Sequence, residues 1–427
     1  MGAWVRDRRN TAEHIVTEEL ARLSRELMER AAACPDKTAR KQQMAFARSL
    51  LSRGAVTKTI AGLKSEPAIT AVPENFDQDP HILNTPAGIV DLRSGVMHPP
   101  DPKKMCSRST TVSPSPGVPT KFLEVLSHAL GDDPALVGWM QRLFGYALTG
   151  LNGEKLLFVV YGPPHTSKSV IFDIVARILG DYHSTIPDGE LFALKADNRH
   201  PTGLQFVTAR LATSGEIRAR ATWRGEMVKK ITGGDRISLR GMRQDFTTVA
   251  PTSKIILHGN AIPGTDGADP ALVDRLVLIP FRNPVPEENR IRALAERLVE
   301  EEGGQILGWM IEGAQRYYRE GLMPLPPVLQ DERRQFAADE DLLASFIEER
   351  CDRDEDGEVT TQELRQAWVQ WCNQHGYKAQ ASETDVSFGR LLRERADDLG
   401  IRHVRTRGKG RKPGYRGIKL SDVEDLL

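Results

Sequence analysis

The sequence predicts an α/β protein built round a parallel sheet, preceded by a helical N-terminal region and followed by a domain that ends in a basic hairpin. Three observations carry this. Between residues 155 and 283, apolar runs of strand length (LLFVVYG, ARLATSG, KIILHGN, RLVLIPF) alternate with helical patterns, as buried parallel strands joined by helices require. Val16, Leu20, Leu23 and Leu27, spaced by four, three and four, form one stripe of an amphipathic helix over 10–33. Residues 401–420 hold eight Lys and Arg and no Asp or Glu, with strand-like ends round the Gly-rich turn Gly408 to Gly414.

The 427 residues are too many for one compact core, so two to four domains are expected. Lys+Arg and Asp+Glu are 58 each, which excludes a uniformly basic nucleic-acid coat but leaves room for a local basic patch. No apolar run approaches the ~20 residues of a membrane span, and the N-terminus has charge but no apolar core, so neither a membrane protein nor a secretory signal is expected. Cys34, Cys106, Cys351 and Cys372 are scattered without a CxxC, which points to a reducing compartment and to neither a disulfide framework nor a zinc site.

Along the chain, a second helix is expected over 37–53, burying Met44, Phe46, Leu50 and Leu51. Residues 81–102 read as short strands with turns at Pro86-Ala87-Gly88 and Ser94-Gly95. Pro114, Pro116 and Pro119 mark a linker. Of the two helices that follow, the second opens with Asp133 as N-cap and Pro134 in the first helical position, and runs through Trp139, Leu143 and Leu148 to Gly150. Residues 288–320 are helical and are closed by Pro324, Pro326 and Pro327; 340–427 is charged and helical at first. The expected division is 1–115, 116–285, 286–338 and 339–427.

The stretch LLFVVYGPPHTSKSVIFDIVARILG carries the chemistry. A strand (156–161) runs into Gly162, the loop Pro163, Pro164, His165, Thr166, Ser167, and then Lys168 and Ser169 at the start of a helix. That context suits a phosphate-binding loop, whose amides and helix N-terminus face phosphates. Lys168 would reach the β and γ oxygens of ATP, and Ser169 would ligate Mg²⁺. Ser167 stands where the pattern GxxxxGK[ST] has Gly, and the two prolines remove two amide donors. The alternative is an ordinary strand-to-helix turn. Downstream, Glu216 ends one strand, where it can orient Mg²⁺ and the attacking water; Asn260 ends another; Arg275 precedes a third, in the manner of an arginine finger. Taken singly, each also reads as an ordinary surface or turn residue.

The order Lys168, Glu216, Asn260, Arg275 within about 110 residues resembles the superfamily 3 helicases, a compact branch of the AAA+ ATPases, and most of all the phage/plasmid primase–helicase family with its poxvirus-type members. KKITGGDRISLR (229–240), PTSKIILHGN, RLVLIPF, NTPAGIVDLRSG (84–95) and GWMIEGAQRYYREGLMPLPP (308–327) carry the resemblance; Pro164, Thr166 and Ser167 depart from the family loop Gly-x-Gly-x-Asn-Gly-Lys-Ser. The resemblance implies an AAA+ core in a homo-hexamer, with ATP and Mg²⁺ between subunits: Lys168, Ser169, Glu216 and Asn260 from one, Arg275 from the next. It implies a pore hairpin within 239–250, with Arg240 and Arg243 against DNA phosphates, and Lys229 and Lys230 serving the same purpose or meeting the neighbouring nucleotide.

Helices first and a basic hairpin last suggest a winged helix, a domain this family has in the same place. Arg405, Arg407, Lys409, Arg411 and Lys412 would grip the DNA backbone there. The implied function is ATP-driven unwinding by a ring on single-stranded or forked DNA during replication of a phage, plasmid or mobile element. The work would be done in the bacterial or host cytoplasm, alongside a separate primase or other replication proteins. The family's polymerising domain lies upstream of where this chain begins, so no primer synthesis is expected. Two alternatives stand beside this: a replication initiator that binds DNA with a degenerate ATPase, and another AAA+ motor that packages or loads DNA.

DRDEDGEVTTQE (352–363) fits the EF-hand spacing, with Asp352, Asp354, Asp356, Gly357 and Glu363 at positions one, three, five, six and twelve. The alternative is a capping box, Thr360 with Glu363, opening the helix of Leu364, Trp368 and Trp371 after a solvated acidic loop.

Overall fold

The structure, a computed structural model, describes residues 3–4, 7, 10–66, 71–187, 191–192, 204–216, 223–240, 246–264, 270–339, 341–375, 377, 381–382, 384–397, 399–406 and 411–421. The chain divides into two compact units, Met1–Ser113 and Pro114–Leu427.

In the first unit, α1 (Thr11–Ala32), α2 (Lys37–Ser49) and α3 (Arg53–Leu63) precede an antiparallel sheet of β1 (Ile82–Thr85), β2 (Gly88–Asp91) and β3 (Met97–His98). Asp36 caps α2 by accepting from Thr38 N and Ala39 N, and Ser52 caps α3. The Ser24 hydroxyl, buried on α1, donates to Ala47 O at 2.7 Å and pins α2 against it. That register turns Ala47 inward and leaves Phe46 60% exposed. The second helix also stops at Ser49, so Leu51 falls in the turn before the Ser52 cap, 56% exposed. The expected burial of these two residues is therefore corrected. The block Asn84 to Gly95 is a scaffold: buried Asn84 donates to Arg108 O, Thr85 Oγ1 to Gly88 O, and Asp91 accepts from Arg93 N in the β2–β3 turn.

The second unit opens with α4 (Thr120–Ala129) and α5 (Pro134–Leu148). Then come β4 (Leu157–Tyr161), α6 (Lys168–Leu179), β5 (His183–Ile186), α7 (Leu204–Thr208), β6 (Leu211–Glu216), α8 (Gly225–Gly233), β7 (Ile237–Arg240), β8 (Phe246–Val249), β9 (Lys254–Gly259), α9 (Pro270–Val273), β10 (Leu276–Pro280), α10 (Leu294–Glu320) and α11 (Pro327–Asp339). Strands β10, β4, β9, β6 and β5 form, in that order, one wholly parallel sheet. β5 lacks the apolar run that marks the other four strands: HSTI is short and has one apolar residue. On one face α5 crosses α10 at glycines: a Cβ on Gly145 would sit 2.0 Å from Ala314 N, and one on Gly313 2.0 Å from Gln141 O. Only hydrogen at both positions lets the two backbones approach so closely.

At the opposite edge of the sheet from the loop after β4, the Lys254 ammonium is buried and donates to the carbonyls of Thr149, Leu151 and Thr252, the first of these capping the end of α5. Burial pushes this amine well below its ordinary pKa. The Pro-x-x-Lys strand thus holds the fold together at a distance from the loop.

The last region runs α12 (Leu342–Arg350), β11 (Cys351–Thr360), α13 (Thr361–His375), α14 (Asp385–Glu394), β12 (Arg402–Arg405) and β13 (Pro413–Leu420), with an antiparallel sheet in the order β11-β13-β12. Its core stacks Phe346, Trp368, Trp371 and Phe388. The EF-hand reading fails here. Residues 352–360 form a strand whose Asp352 to Asp354 and Glu358 to Thr360 pair with β13, and Asp354 turns its carboxylate back to Asp356 N and Gly357 N. The capping box is present: Glu363 accepts from Thr360 N and Oγ1, and Thr360 Oγ1 accepts from Glu363 N.

Candidate functional site

The site is built from the end of β4. Gly162 takes φ 144°, and a Cβ there would lie 2.0 Å from Phe281 O, because β10 runs alongside and the Phe281 amide donates to Tyr161 O. Glycine is thus imposed where the chain leaves the sheet. His165 and Ser167 both take left-handed backbone, φ 64° and 63°, and Val285 N donates to His165 O at 2.8 Å, tying the loop to the segment after β10. Ser167 stands immediately before α6, where the loop pattern has Gly. The left-handed φ explains that preference, and a serine there carries about 1–2 kcal/mol of strain.

Inside the loop, Lys168 is buried and its ammonium donates to Gly162 O (2.9 Å), Pro163 O (2.7 Å) and Thr166 Oγ1 (3.0 Å). Pro163, Pro164, His165 and Ser169 are exposed. The loop thus wraps a cation at a helix N-terminus, with the Ser169 hydroxyl on the open side, an arrangement fitted to phosphate and a divalent ion.

Two further strand ends meet this edge. β9 is the common neighbour of β4 and β6, pairing Val160 with His258 and His258 with Glu216. Asn260 follows β9 directly and is exposed. β6 carries one extra residue between Thr213, paired with Ile256, and Glu216, paired with His258. This bulge puts Glu216 two positions from the Asn260 level in strand register; of Glu216, as of Arg240, only the backbone is described. Bulges of this kind recur beside active sites, where they re-aim a strand.

Arg275 lies at the opposite edge. β10 pairs Leu276 with Leu157 and Pro280 with Tyr161, so about six residues of extended chain, roughly 20 Å, separate Arg275 from the level of Gly162. Its guanidinium folds back to Ala271 O. Within one chain, then, the loop, Glu216 and Asn260 share an edge, and Arg275 does not join them.

The sequence did not point to Tyr161, Arg282 and Glu332. The Tyr161 hydroxyl donates to Glu332 on α11, and Arg282 donates to the other Glu332 oxygen at 2.9 Å. Burial, then the Glu332 carboxylate, holds the Tyr161 hydroxyl far above the ordinary phenol range. The strand that ends in the loop is thereby anchored to α11. No pattern in the sequence links residues so far apart.

Of the expected DNA contacts, Lys229 and Lys230 lie on α8; Lys229 pairs with Glu226 at 2.9 Å, and Lys230 is exposed. The Thr-Gly-Gly-Asp block ends α8: Thr232 donates to Val228 O, and Gly234, at φ 79°, forms the left-handed cap. β7 and β8 pair as a hairpin, with Arg240, opposite Phe246, at the end next to 241–245; Arg243 lies outside the described residues. Arg405, Arg411 and Lys412 are exposed; Arg407 and Lys409 lie outside the described residues.

The family described as D5 N terminal like matches residues 1–142. The match covers the first unit and reaches into α5, ending before β4 and the loop. A protein of Acanthamoeba polyphaga mimivirus named as a "putative helicase" is 22% identical over 214 residues, 48% of this chain. The chain spans 22% of that relative's own length. Two apo structures of the NrS-1 C terminal region align over 87% and 80% of this chain and 91% and 83% of theirs, at 12% identity and TM-scores of 0.47 and 0.49. Among the described residues, no helix is long and apolar enough to cross a membrane.

Proposed function

We propose that this chain is an ATP-dependent superfamily 3 DNA helicase serving replication of a phage, plasmid or other mobile element. The observation that carries the reading is a shared edge: the Gly162–Ser169 loop, Asn260 and Glu216 follow the C-terminal ends of β4, β9 and β6, three consecutive strands of one parallel sheet. Open parallel sheets bind ligands at that edge. The D5 N terminal like match and the helicase-named viral relative support a replication role of the same kind.

Bound ATP and Mg²⁺ would supply the phosphoanhydride and the divalent charge. The chain's own groups then have definite tasks. Lys168, now held by three loop acceptors, would hold phosphate oxygens, and Ser169 Oγ would hold the metal. The Glu216 carboxylate takes the proton of the attacking water, and the Asn260 amide orients that water. Arg275, remote from its own loop, serves the loop of the next subunit in a ring, which is why the site requires a homo-oligomer, a hexamer by resemblance. The β7–β8 hairpin with Arg240 and Arg243 tracks one strand through phosphate contacts. The C-terminal region, read as a winged helix, holds duplex or forked DNA through Arg405, Arg407, Lys409, Arg411 and Lys412.

One observation favours the rival, a DNA-binding initiator with a spent ATPase: Pro163 and Pro164 remove two amides, and Ser167 sits strained. ATP turnover with and without single-stranded DNA, beside unwinding of a forked substrate, separates the two. Stimulated turnover and unwinding, both lost in Lys168→Ala, support the helicase. DNA binding without turnover supports the initiator.

A further inference from the structure

Helix α11 carries a glutamate on the face it turns to the sheet. Leu329 and Phe336, three residues before Glu332 and four after it, are the buried residues of this helix. Phe336 belongs to the core that holds Leu276 and Leu278 of β10. A carboxylate on such a face is costly unless it is hydrogen-bonded. Both oxygens of Glu332 are taken, one by the Tyr161 hydroxyl and the other by Arg282 at 2.9 Å. The next residue, Arg333, donates to Leu276 O at 3.0 Å and fixes α11 over β10.

Both partners of Glu332 support the Gly162–Ser169 loop. Tyr161 is the last residue of β4, next to Gly162. Arg282 lies in the segment 281–285, which straps the loop: Phe281 N donates to Tyr161 O at 2.7 Å, and Val285 N to His165 O at 2.8 Å. One carboxylate thus joins the base of the loop to the segment that runs along it. The loop needs such support. His165 and Ser167 both hold left-handed backbone without being glycine, and such backbone persists only where its surroundings over-determine it. Lys168 ties the loop from inside, through Gly162 O, Pro163 O and Thr166 Oγ1. Those are the ties a bound phosphate would draw away. The ties from Phe281, Val285 and Glu332 would stay.

We propose that Glu332 is a positioning residue for the loop: acting through Tyr161 and Arg282, it holds Gly162–Ser169 in its anion-binding shape and so sets the affinity for nucleotide. It touches neither nucleotide nor metal. Without it the loop leaves that shape more often, and apparent affinity falls with the fraction of chains whose loop is competent. Once nucleotide is bound, the phosphates hold the loop, so the chemical step is spared. The inference rests on the ATPase reading for the ligand it serves, but the clamp itself is measured without nucleotide.

The test uses the full chain with Tyr161→Phe, Glu332→Ala, both together, and Arg334→Ala as a control on the exposed face of the same helix. Amide hydrogen exchange is measured first, free of nucleotide. In Tyr161→Phe and Glu332→Ala, peptides covering 162–169 and 281–285 should exchange about ten-fold faster, the loss expected of a hydrogen bond to a charged group. Peptides from α5 and α10 should keep the parent's rate. The double variant should exchange no faster than Glu332→Ala, because the hydroxyl acts through the carboxylate. Arg334→Ala should match the parent throughout. In steady-state ATP hydrolysis, KM should rise about three-fold or more in the two clamp variants, with kcat kept. A parent that neither binds nor hydrolyses ATP would sink the ATPase reading, and the exchange rates would still decide the clamp. Loop exchange at the parent's rate in both clamp variants would overturn the proposal. So would equal acceleration in α5 and α10, or a fall in kcat at constant KM, since either would make Glu332 merely a part of the general packing.

Discussion

The Leu157 amide donates to the Arg275 carbonyl at 2.7 Å, which fixes Arg275 at the N-terminal edge of the parallel sheet, level with the start of the strand that ends in the Gly162–Ser169 loop. No side chain can span that strand to reach its own loop. If Arg275 assists phosphoryl transfer, it does so for a neighbour. Arg275→Ala should therefore lower turnover steeply, since a finger of this kind is worth about 10³–10⁵ in rate. Rings mixed from Arg275→Ala and Lys168→Ala chains should regain turnover wherever an intact Lys168 meets an intact Arg275. Assembled mixed rings with no more turnover than either parent would refute the shared site.

Ser167 offers a gain. Its left-handed backbone, φ 63° and ψ 12°, is open to glycine at no steric cost. Ser167→Gly should stabilise the native protein by about 1 kcal/mol, read as a higher urea midpoint, and should not lower the affinity for ATP. A lower midpoint would mean that the serine is not strained.

Gly162 offers the converse. A methyl group at this position meets Phe281 O at 2.0 Å, and the fixed pairing of β4 with β10 prevents either backbone from yielding. Gly162→Ala should cost about 1–3 kcal/mol or more and should weaken nucleotide binding, as thermal unfolding with and without ATP would report. A variant as stable as the parent would contradict the close approach.

The capping box gives a pH signature. Hydrogen bonds from Thr360 side chain and backbone hold the Glu363 carboxyl below its ordinary pKa. A group depressed in the folded state stabilises it above its unfolded pKa, and that stability is lost as pH falls through the folded value. Glu363→Gln should therefore flatten the fall of stability on the acid side of pH 4.5, the ordinary glutamate value. Thr360→Ala should cost about 1 kcal/mol near neutral pH. Added calcium should not shift the melting temperature, because the acidic run is paired in β11; a calcium-dependent rise would restore the EF-hand.

The strands that turn on strong apolar runs were legible in the sequence: β4, β6, β9 and β10 each carry one, and Lys168 stood out by its place between strand and helix. What escaped was set by partners distant in sequence. β11 is half acidic and looks like a loop; it is a strand because β13 supplies its hydrogen bonds. Phe46 looks like core, yet the Ser24–Ala47 contact turns the other face of α2 inward. The loop was readable, but the bulge that brings Glu216 level with His258 exists only in the pairing of β6 with β9. Glu332, which anchors Tyr161, is one of many surface-like glutamates on a helix.

Hydrolysis of ATP at the edge formed by β4, β9 and β6 is tested most directly by measuring nucleotide binding and hydrolysis side by side in the parent, Lys168→Ala and Glu216→Gln. The parent should bind and hydrolyse ATP in the presence of Mg²⁺, Lys168→Ala should lose binding, and Glu216→Gln should bind ATP as the parent does but not turn it over. Turnover at the parent's rate in both variants would contradict it.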